Sequence, residues 1–297
     1  MRIGKHYIHI RIRHKKELKI VLFWMIIMKL LTLVPYSPAR VANATVSGVI
    51  PQDMVWSGNI YVAGDVLVPP PFRIEIEPGT RVIFLVQDRE SAGVVGRDDL
   101  THENDTTATD FYERTHASLT GTIIASNVTF TSGAEEPGYA DWSGLVLFNG
   151  SVLNDSVVEY SKRGVVLLGR NVSVVDTTSR YALWNCFEDR AGGVLRGSVA
   201  HHCWHSCVSV LANGTRLEEL TAYECYQGLY LGGSLLNITG VLVSKSCTPL
   251  KTERGGAEKI VLSNRFLKAK PTAEGGVFEG RLIYPSCPES SGASEQA

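Results

Sequence analysis

Ser161-Lys-Arg-Gly-Val-Val-Leu167, Ser179-Arg-Tyr-Ala-Leu-Trp184, Cys203-Trp-His-Ser-Cys-Val-Ser-Val210, Cys225-Tyr-Gln-Gly-Leu-Tyr-Leu231 and Cys247-Thr-Pro-Leu250 share one pattern. A small or polar residue is followed by a short gap and then by alternating apolar residues. Their starts fall 18, 24, 22 and 22 residues apart. A period near 22 with short β-type segments is the sequence mark of a solenoid. Leucine-rich repeats share that period but need a run of leucines and an Asn position that are missing here. The segments between the repeats, such as Ser156-Val-Val-Glu-Tyr160 and Asn171-Val-Ser-Val-Val175, are short, β-branched and broken by Gly, Asn, Asp and Ser, which is strand-and-turn grammar. From Ala44 onward no run of ten residues has helical apolar spacing. Parallel strands need crossovers, and no helices are there to supply them. A coil in which every strand pairs with its counterpart one turn away removes the difficulty, because the turns are the crossovers. The expected fold is therefore all-β, a single right-handed parallel β-helix (solenoid) of about 8–10 coils at ~22 residues each.

The first 44 residues stand apart. Arg2, Lys5, Arg11, Arg13, Lys15, Lys16 and Lys19 precede an apolar run, Ile20–Val34, interrupted by Lys29 and Thr32. Pro35-Tyr-Ser-Pro38 and the small-x-small triplet Ala42-Asn-Ala44 follow. That order is a secretory signal. The run is short of the ~20 residues that span a bilayer, so an uncleaved membrane anchor helix is the weaker expectation. The starting Met is open between Met1, Met25 and Met28. Residues 1–44 hold nine basic residues and one acid, which leaves 20 basic against 29 acidic in the remainder, a net charge of −9. An acidic chain argues against nucleic acid as a partner, since such binding rests on phosphate neutralisation. The expected organisation is a signal or anchor at 1–44, a β-helix at 45–254 and a C-terminal cap with a polar tail at 255–297. Residues 86–116, polar and without apolar alternation, read as a long excursion from one turn.

Trp56-Ser-Gly-Asn-Ile-Tyr-Val-Ala-Gly-Asp-Val-Leu-Val-Pro69, then Ile74-Glu-Ile-Glu-Pro-Gly-Thr-Arg-Val-Ile-Phe84, resembles the opening coils of extracellular β-helix proteins of the pectin-lyase-like superfamily. So do Gly121-Thr-Ile-Ile-Ala125 and Trp142-Ser-Gly-Leu-Val-Leu-Phe148. The resemblance covers roughly residues 56–250. It implies a β-helix and a secreted or cell-surface setting, and it is uninformative about activity. Members include uncharacterised surface proteins, carbohydrate-active enzymes and a branch that assists periplasmic copper-site assembly. No catalytic motif of the family matches residue by residue, so no catalytic residue is carried over.

Six cysteines, all after residue 185, permit disulfides in an exported chain. Cys203, Cys225 and Cys247, 22 apart, are candidates for stacking on successive turns, as an unbridged inward ladder or with one vertical disulfide; Cys247 with Cys287 is another candidate pair. His201, His202, Cys203, His205 and Cys207 carry ligand types suited to zinc or copper. Alternate residues of a straight strand lie ~6–7 Å apart, so a shared ion needs a turn that gathers three of them, and the expectation is no metal site. Asp141, Asp155, Asp176 and Asp189, with Glu218, Glu219 and Glu224, read as solvated turn acids. After Ala44, seven sequons, at Asn104, Asn127, Asn149, Asn154, Asn171, Asn213 and Asn237, fit glycosylation of surface loops or the preference of Asn for β-helix corners. Trp142, Trp184, Trp204, Tyr223, Tyr226 and Tyr230 are candidates for a row that stacks on sugar rings, against a packing role.

The expected function is that of an exported, non-enzymatic cell-surface protein, without a cofactor, that binds polysaccharide or another envelope component, with membrane contact only through the N-terminal segment. The alternatives are a polysaccharide lyase or glycoside hydrolase, with Ca²⁺ and with Asp98, Asp99, Glu103 and Arg114 of the excursion over a groove, and a periplasmic-type metal-handling protein centred on His201–Cys207.

Overall fold

The computed structural model describes residues 38–86, 117–233 and 236–252, and beyond them the strand backbone at 262–263, 266–269 and 277–282. All described strands join one 23-stranded sheet. Its ladders are parallel throughout, except where Phe266–Ala269 pairs antiparallel with Leu262–Ser263 and with Val277–Leu282. There is no helix among the described residues, and none there is long and apolar enough to cross a membrane. Residues 20–34, the signal or anchor segment of the sequence, and the excursion acids lie outside the described residues.

The chain coils through three flat faces. Face 1 stacks Val152–Asn154, Ser173–Val175, Val194–Arg196 and Arg216–Glu218 on one another, and then 237–239. Face 2 stacks Val157–Glu159, Thr178–Arg180, Val199–His201 and Thr221–Tyr223. Face 3 stacks Gly144–Leu147, Val165–Leu167, 187–189, Ser206–Val210, Gln227–Leu231 and Thr248–Thr252. Above these, Ala39–Val49 pairs along its length with Met54–Ile76, which wraps all three faces. Arg81–Phe84 lies on face 2 and Ser118–Ser126 begins on face 3, where Leu119 sits opposite Val66. The ladder continues on either side of these residues: Arg81–Phe84 pairs with Thr129–Ser132, and 118–121 with Gly144–Leu147.

The true repeat is 21 or 22 residues: Val152, Ser173, Val194, Arg216 and Asn237 are successive Cα partners. It differs in detail from the repeat read from sequence. The small inward residue at the corner between faces 2 and 3 is Ser161, Ala182, Cys203, Cys225 and Ser246, all buried. Ser179 lies on face 2 and Cys247 one place beyond the stack, so the uneven 18 and 24 spacings become even.

Two columns of left-handed residues set the corners. Between faces 1 and 2 they are Asn43, Gly58, Gly79, Asn127, Asp155, Asp176, Gly197, Glu219 and Gly240. Gly, Asn and Asp dominate because they tolerate positive φ at least cost. Ser156, Thr177 and Ser198 each follow such a residue, and their hydroxyls bond the carbonyl two residues back. Between faces 2 and 3 the column is Ala140, Tyr160, Tyr181, His202, Glu224 and Lys245. These residues are poorly suited to positive φ, and the ladder on either side holds them there.

Inward residues form columns of Ile, Leu, Val and Phe, with Trp142 stacked on Phe84 at 3.7 Å and donating its indole N–H to the Glu159 carbonyl. On face 2 the column shrinks from Val158 to Ser179, Ala200 and Ala222, then widens again at Val243. The narrowing coincides with disulfides Cys186–Cys203 and Cys207–Cys225. Each joins the start of a face 3 strand to the corner of the next coil, with Cα separations of 5.9 and 5.6 Å. Cys203 and Cys225 do stack, but the bonds run diagonally rather than up the column. Cys247 is disulfide-bonded too; Cys287 lies outside the described residues. A bridge closing a loop of this length stabilises by about 3 kcal/mol. The double variant Cys186→Ala/Cys203→Ala is expected to lose about 2–4 kcal/mol in urea unfolding. Non-reducing peptide mapping should give the two diagonal pairs, and a Cys203–Cys225 peptide would contradict the packing described.

Candidate functional site

The corner between faces 2 and 3 is where the surface chemistry collects. Trp204 is 70% exposed and Tyr226, on the next coil, 57%, although both are large and apolar. Beside them the left-handed column presents Tyr160 stacked on Tyr181 at 5.2 Å, Tyr181 against His202 at 5.3 Å, and Tyr139 edge-on to Tyr181 at 6.3 Å. Positive φ at Tyr160, Tyr181 and His202 throws these side chains outward at the edge. One residue earlier on each coil, the last outward position of face 2 holds Glu159, Arg180, His201 and Tyr223. Arg180 grips Glu159 with two hydrogen bonds of 2.8 and 2.7 Å, Thr131 donates to the other oxygen of Glu159, and His201 lies flat on Tyr223 at 4.8 Å.

His201 Nδ1 and His202 Nδ1 face each other at 2.6 Å. On its far side His202 Nε2 meets Glu224 at 2.9 Å, and Glu224 also holds Lys245 at 2.8 Å. The hydrogen bond from Lys245 holds the Glu224 carboxyl below its usual range. Burial first, then the charges of His202 and Arg180, push His201 down to about 4, so its ring is neutral at physiological pH.

Past the edge, on face 3, lies a second polar group. Glu188 is 1% exposed on the outward side of its strand, hydrogen-bonded by Arg163, Arg190 and Asn185. Burial alone would raise this carboxyl; the Arg163 and Arg190 charges more than offset that and hold it below the carboxylate range. His205 packs edge-on to Trp184 at 5.5 Å and hydrogen-bonds Ser206; burial, then Lys251, lowers its pKa.

The residues singled out from sequence divide clearly. Trp142 is core; Trp184, Tyr223 and Tyr230 are half-buried, Tyr230 beneath Lys251; Trp204 and Tyr226 are exposed. Of the five metal-ligand candidates, Cys203 and Cys207 are buried in disulfides, His205 sits on face 3, and only His201 and His202 meet. Asp155 and Asp176 are exposed corner residues on neighbouring coils. Asp189 is not solvated: it is buried, accepts the backbone N–H groups of Ala191, Gly192 and Gly193, and takes the Thr215 hydroxyl. It is a corner brace. Glu218 pairs with Arg216, and Glu219 is a left-handed corner. The sequons separate from the aromatic edge. Asn127 sits at the face 1–face 2 corner, Asn149, Asn171 and Asn213 at the face 3–face 1 corner, and Asn154 and Asn237 on face 1. Asn154 bonds Ser126 and Asn149 accepts from the Asn171 N–H, so part of the Asn pattern serves the coil itself. Asn104 lies outside the described residues.

Sequence reasoning missed Glu159, Arg180, Glu188, Tyr160 and Tyr181. The signal was present: Glu159-Tyr-Ser161, Arg180-Tyr-Ala182, His201-His-Cys203 and Tyr223-Glu-Cys225 align once the register is correct. The molecule belongs to the parallel β-solenoid class. No family model, no curated protein and no solved structure matches the chain.

Glu188 gives a pH prediction. Its folded pKa is depressed, so its contribution is present above the unfolded value and lost as pH falls through the folded one. Wild-type stability is expected to decline below about pH 4.5, and Glu188→Gln should flatten that acid limb while lowering stability at pH 7. Urea midpoints across pH 2.5–7 measure it; an unchanged acid limb in the variant would contradict the role given to Glu188.

Proposed function

We propose that this is an exported, non-enzymatic cell-surface or extracellular protein of the pectin-lyase-like kind, and that it holds polysaccharide along the edge between faces 2 and 3. The observation that carries the reading is the exposure of Trp204 and Tyr226 on consecutive coils. Neighbouring coils are ~4.8 Å apart, comparable with the length of one pyranose unit. Flat rings one coil apart offer successive sugars an apolar stacking surface, and contiguous exposed aromatics mark interaction sites. The distribution of sequons supports the same edge: the seven on described residues, Asn43-Ala-Thr45 included, lie on face 1 or its two corners, so glycans attached there would leave the edge between faces 2 and 3 open. The disulfides suit an oxidising compartment outside the cell.

The non-enzymatic reading is supported by three of the four carboxylates beside the edge; the fourth, Asp141, accepts from the Ser132 hydroxyl and the Gly138 N–H. Glycoside hydrolysis needs one carboxyl kept protonated as an acid. Glu159, Glu188 and Glu224 are each ion-paired to a cation, and the shifts at Glu188 and Glu224 favour the ionised form.

The test is a panel of polysaccharides presented to the full chain with Ca²⁺ present, scoring both retention and new chain ends. Retention without release is expected, with Trp204→Ala and Tyr226→Ala each weakening it roughly tenfold, as loss of an exposed aromatic anchor does. Release of chain ends that survives purification would replace this reading with the lyase or hydrolase one. Retention untouched by both substitutions would move the site elsewhere.

A further inference from the structure

The opposed imidazoles of His201 and His202 are the feature of this surface that sugar stacking leaves unused. Their Nδ1 atoms are 2.6 Å apart. Two nitrogens at that separation are held together by a proton or separated by a cation. The surroundings decide which form His202 presents. Its Nε2 meets the Glu224 carboxylate at 2.9 Å, and that carboxylate is pinned by Lys245. A carboxylate accepts only, so Nε2 carries the proton and, in the neutral ring, Nδ1 is a bare lone pair aimed at His201. A carboxylate behind the distal N–H is the arrangement that orients metal-binding histidines and strengthens their donor atom. His201 is 8% exposed and fixed flat against Tyr223, while the His202 side chain is 40% exposed, so the pair is rigid on one side and open to solvent on the other.

We propose that His201 and His202 form a chelating site for one divalent first-row transition-metal ion, Zn²⁺ or Cu²⁺, held through both Nδ1 atoms, with Glu224 orienting His202. Imidazole suits these ions, and bonds of about 2.0–2.1 Å at cis angles place two ligand nitrogens roughly 2.9–3.4 Å apart. The rings therefore part by a few tenths of an ångström to under one, within reach of the exposed His202 ring. The remaining coordination positions face solvent and Tyr181, whose ring lies 6.0 and 5.3 Å from the two imidazoles. On binding, the proton that His201 Nδ1 donates in the metal-free pair moves to its Nε2, so two neutral rings take up the ion with no net proton release. The cysteines are not part of the site: the Cys186, Cys203 and Cys225 sulfurs lie within 4.8 Å of one another, but all three are in disulfides inside the coil.

The experiment is titration of the chelator-stripped, disulfide-intact full chain with Zn²⁺ alone, followed by calorimetry and by competition with a chromophoric chelator. One ion per chain is expected. His202→Gln, an exposed position whose loss spares the core, should abolish uptake, and Glu224→Gln should weaken it about 10- to 100-fold. His205→Gln should leave it unchanged. Imidazole ¹⁵N spectra should show His202 protonated at Nε2 before addition, and both Nδ1 resonances moving on addition. Absence of saturable uptake, uptake that survives His202→Gln, loss with His205→Gln, or a His202 protonated at Nδ1 with Nε2 as the shifting atom would each overturn the proposal.

Discussion

Hydrogen bonds between coils are the constraint from which the rest of this structure follows. Each strand has only three to five residues on most faces, too few to persist alone. It is held because its N–H and C=O groups are satisfied by the coil above and the coil below. Parallel register then fixes what stacks on what. From Val152 onward a side chain at one coil position meets its own counterpart 21 or 22 residues away, and a slip of one residue would turn every inward column outward. Columns of like residues arise for that reason: Ile and Val inside, Asn, Asp and Gly at one corner, aromatics and imidazoles at another.

The same constraint explains the disulfides and the small residues around them. Stacked cysteines compete with stacked side chains for the interior, and the face 2 column gives way to Ser179, Ala200 and Ala222 where the bonds pass. Interior volume is conserved because close packing tolerates neither a void nor an overlap. It also explains why tyrosine, histidine and glutamate adopt left-handed backbone at the edge between faces 2 and 3. At the opposite corner the column is mostly Gly, Asn and Asp, the residues that enter that conformation most readily. Here residues that enter it at a cost are arrayed outward instead, where stacking and ion pairs bind them to one another.

The fold was legible because its signal is periodic. Alternation, corner residues and a repeat near 22 survive errors in any one coil. The exact register was not legible: Ser179 and Cys247 satisfy the same small-residue pattern as Ala182 and Ser246, and only the ladder separates them. That slip hid the site. Tyr160, Tyr181 and His202 form a column only when Ser161 is set over Ala182, and Glu159 finds Arg180 only in that register. Trp204 and Tyr226 stood among six aromatic candidates, and nothing local distinguishes an exposed Trp204 from a buried Trp142, because the difference lies in which side of a corner each occupies. Asp189 misled for a related reason. An Asp before Arg-Ala-Gly-Gly reads as a solvated turn, while the Thr215 hydroxyl that buries it comes from the next coil.

Register is thus the central claim, and engineered cross-linking tests it most directly. Val152 and Ser173 are Cα partners on adjacent coils of face 1, inside the ~7 Å limit for a disulfide, whereas Val152 and Val175, two positions further along the same outward side, lie beyond it at roughly 8 Å. With Val152→Cys/Ser173→Cys the account predicts rapid, near-complete bond formation under mild oxidation, mapped by mass spectrometry, and little in Val152→Cys/Val175→Cys. Efficient closure of the second pair in preference to the first would contradict the register and with it the placement of every column described.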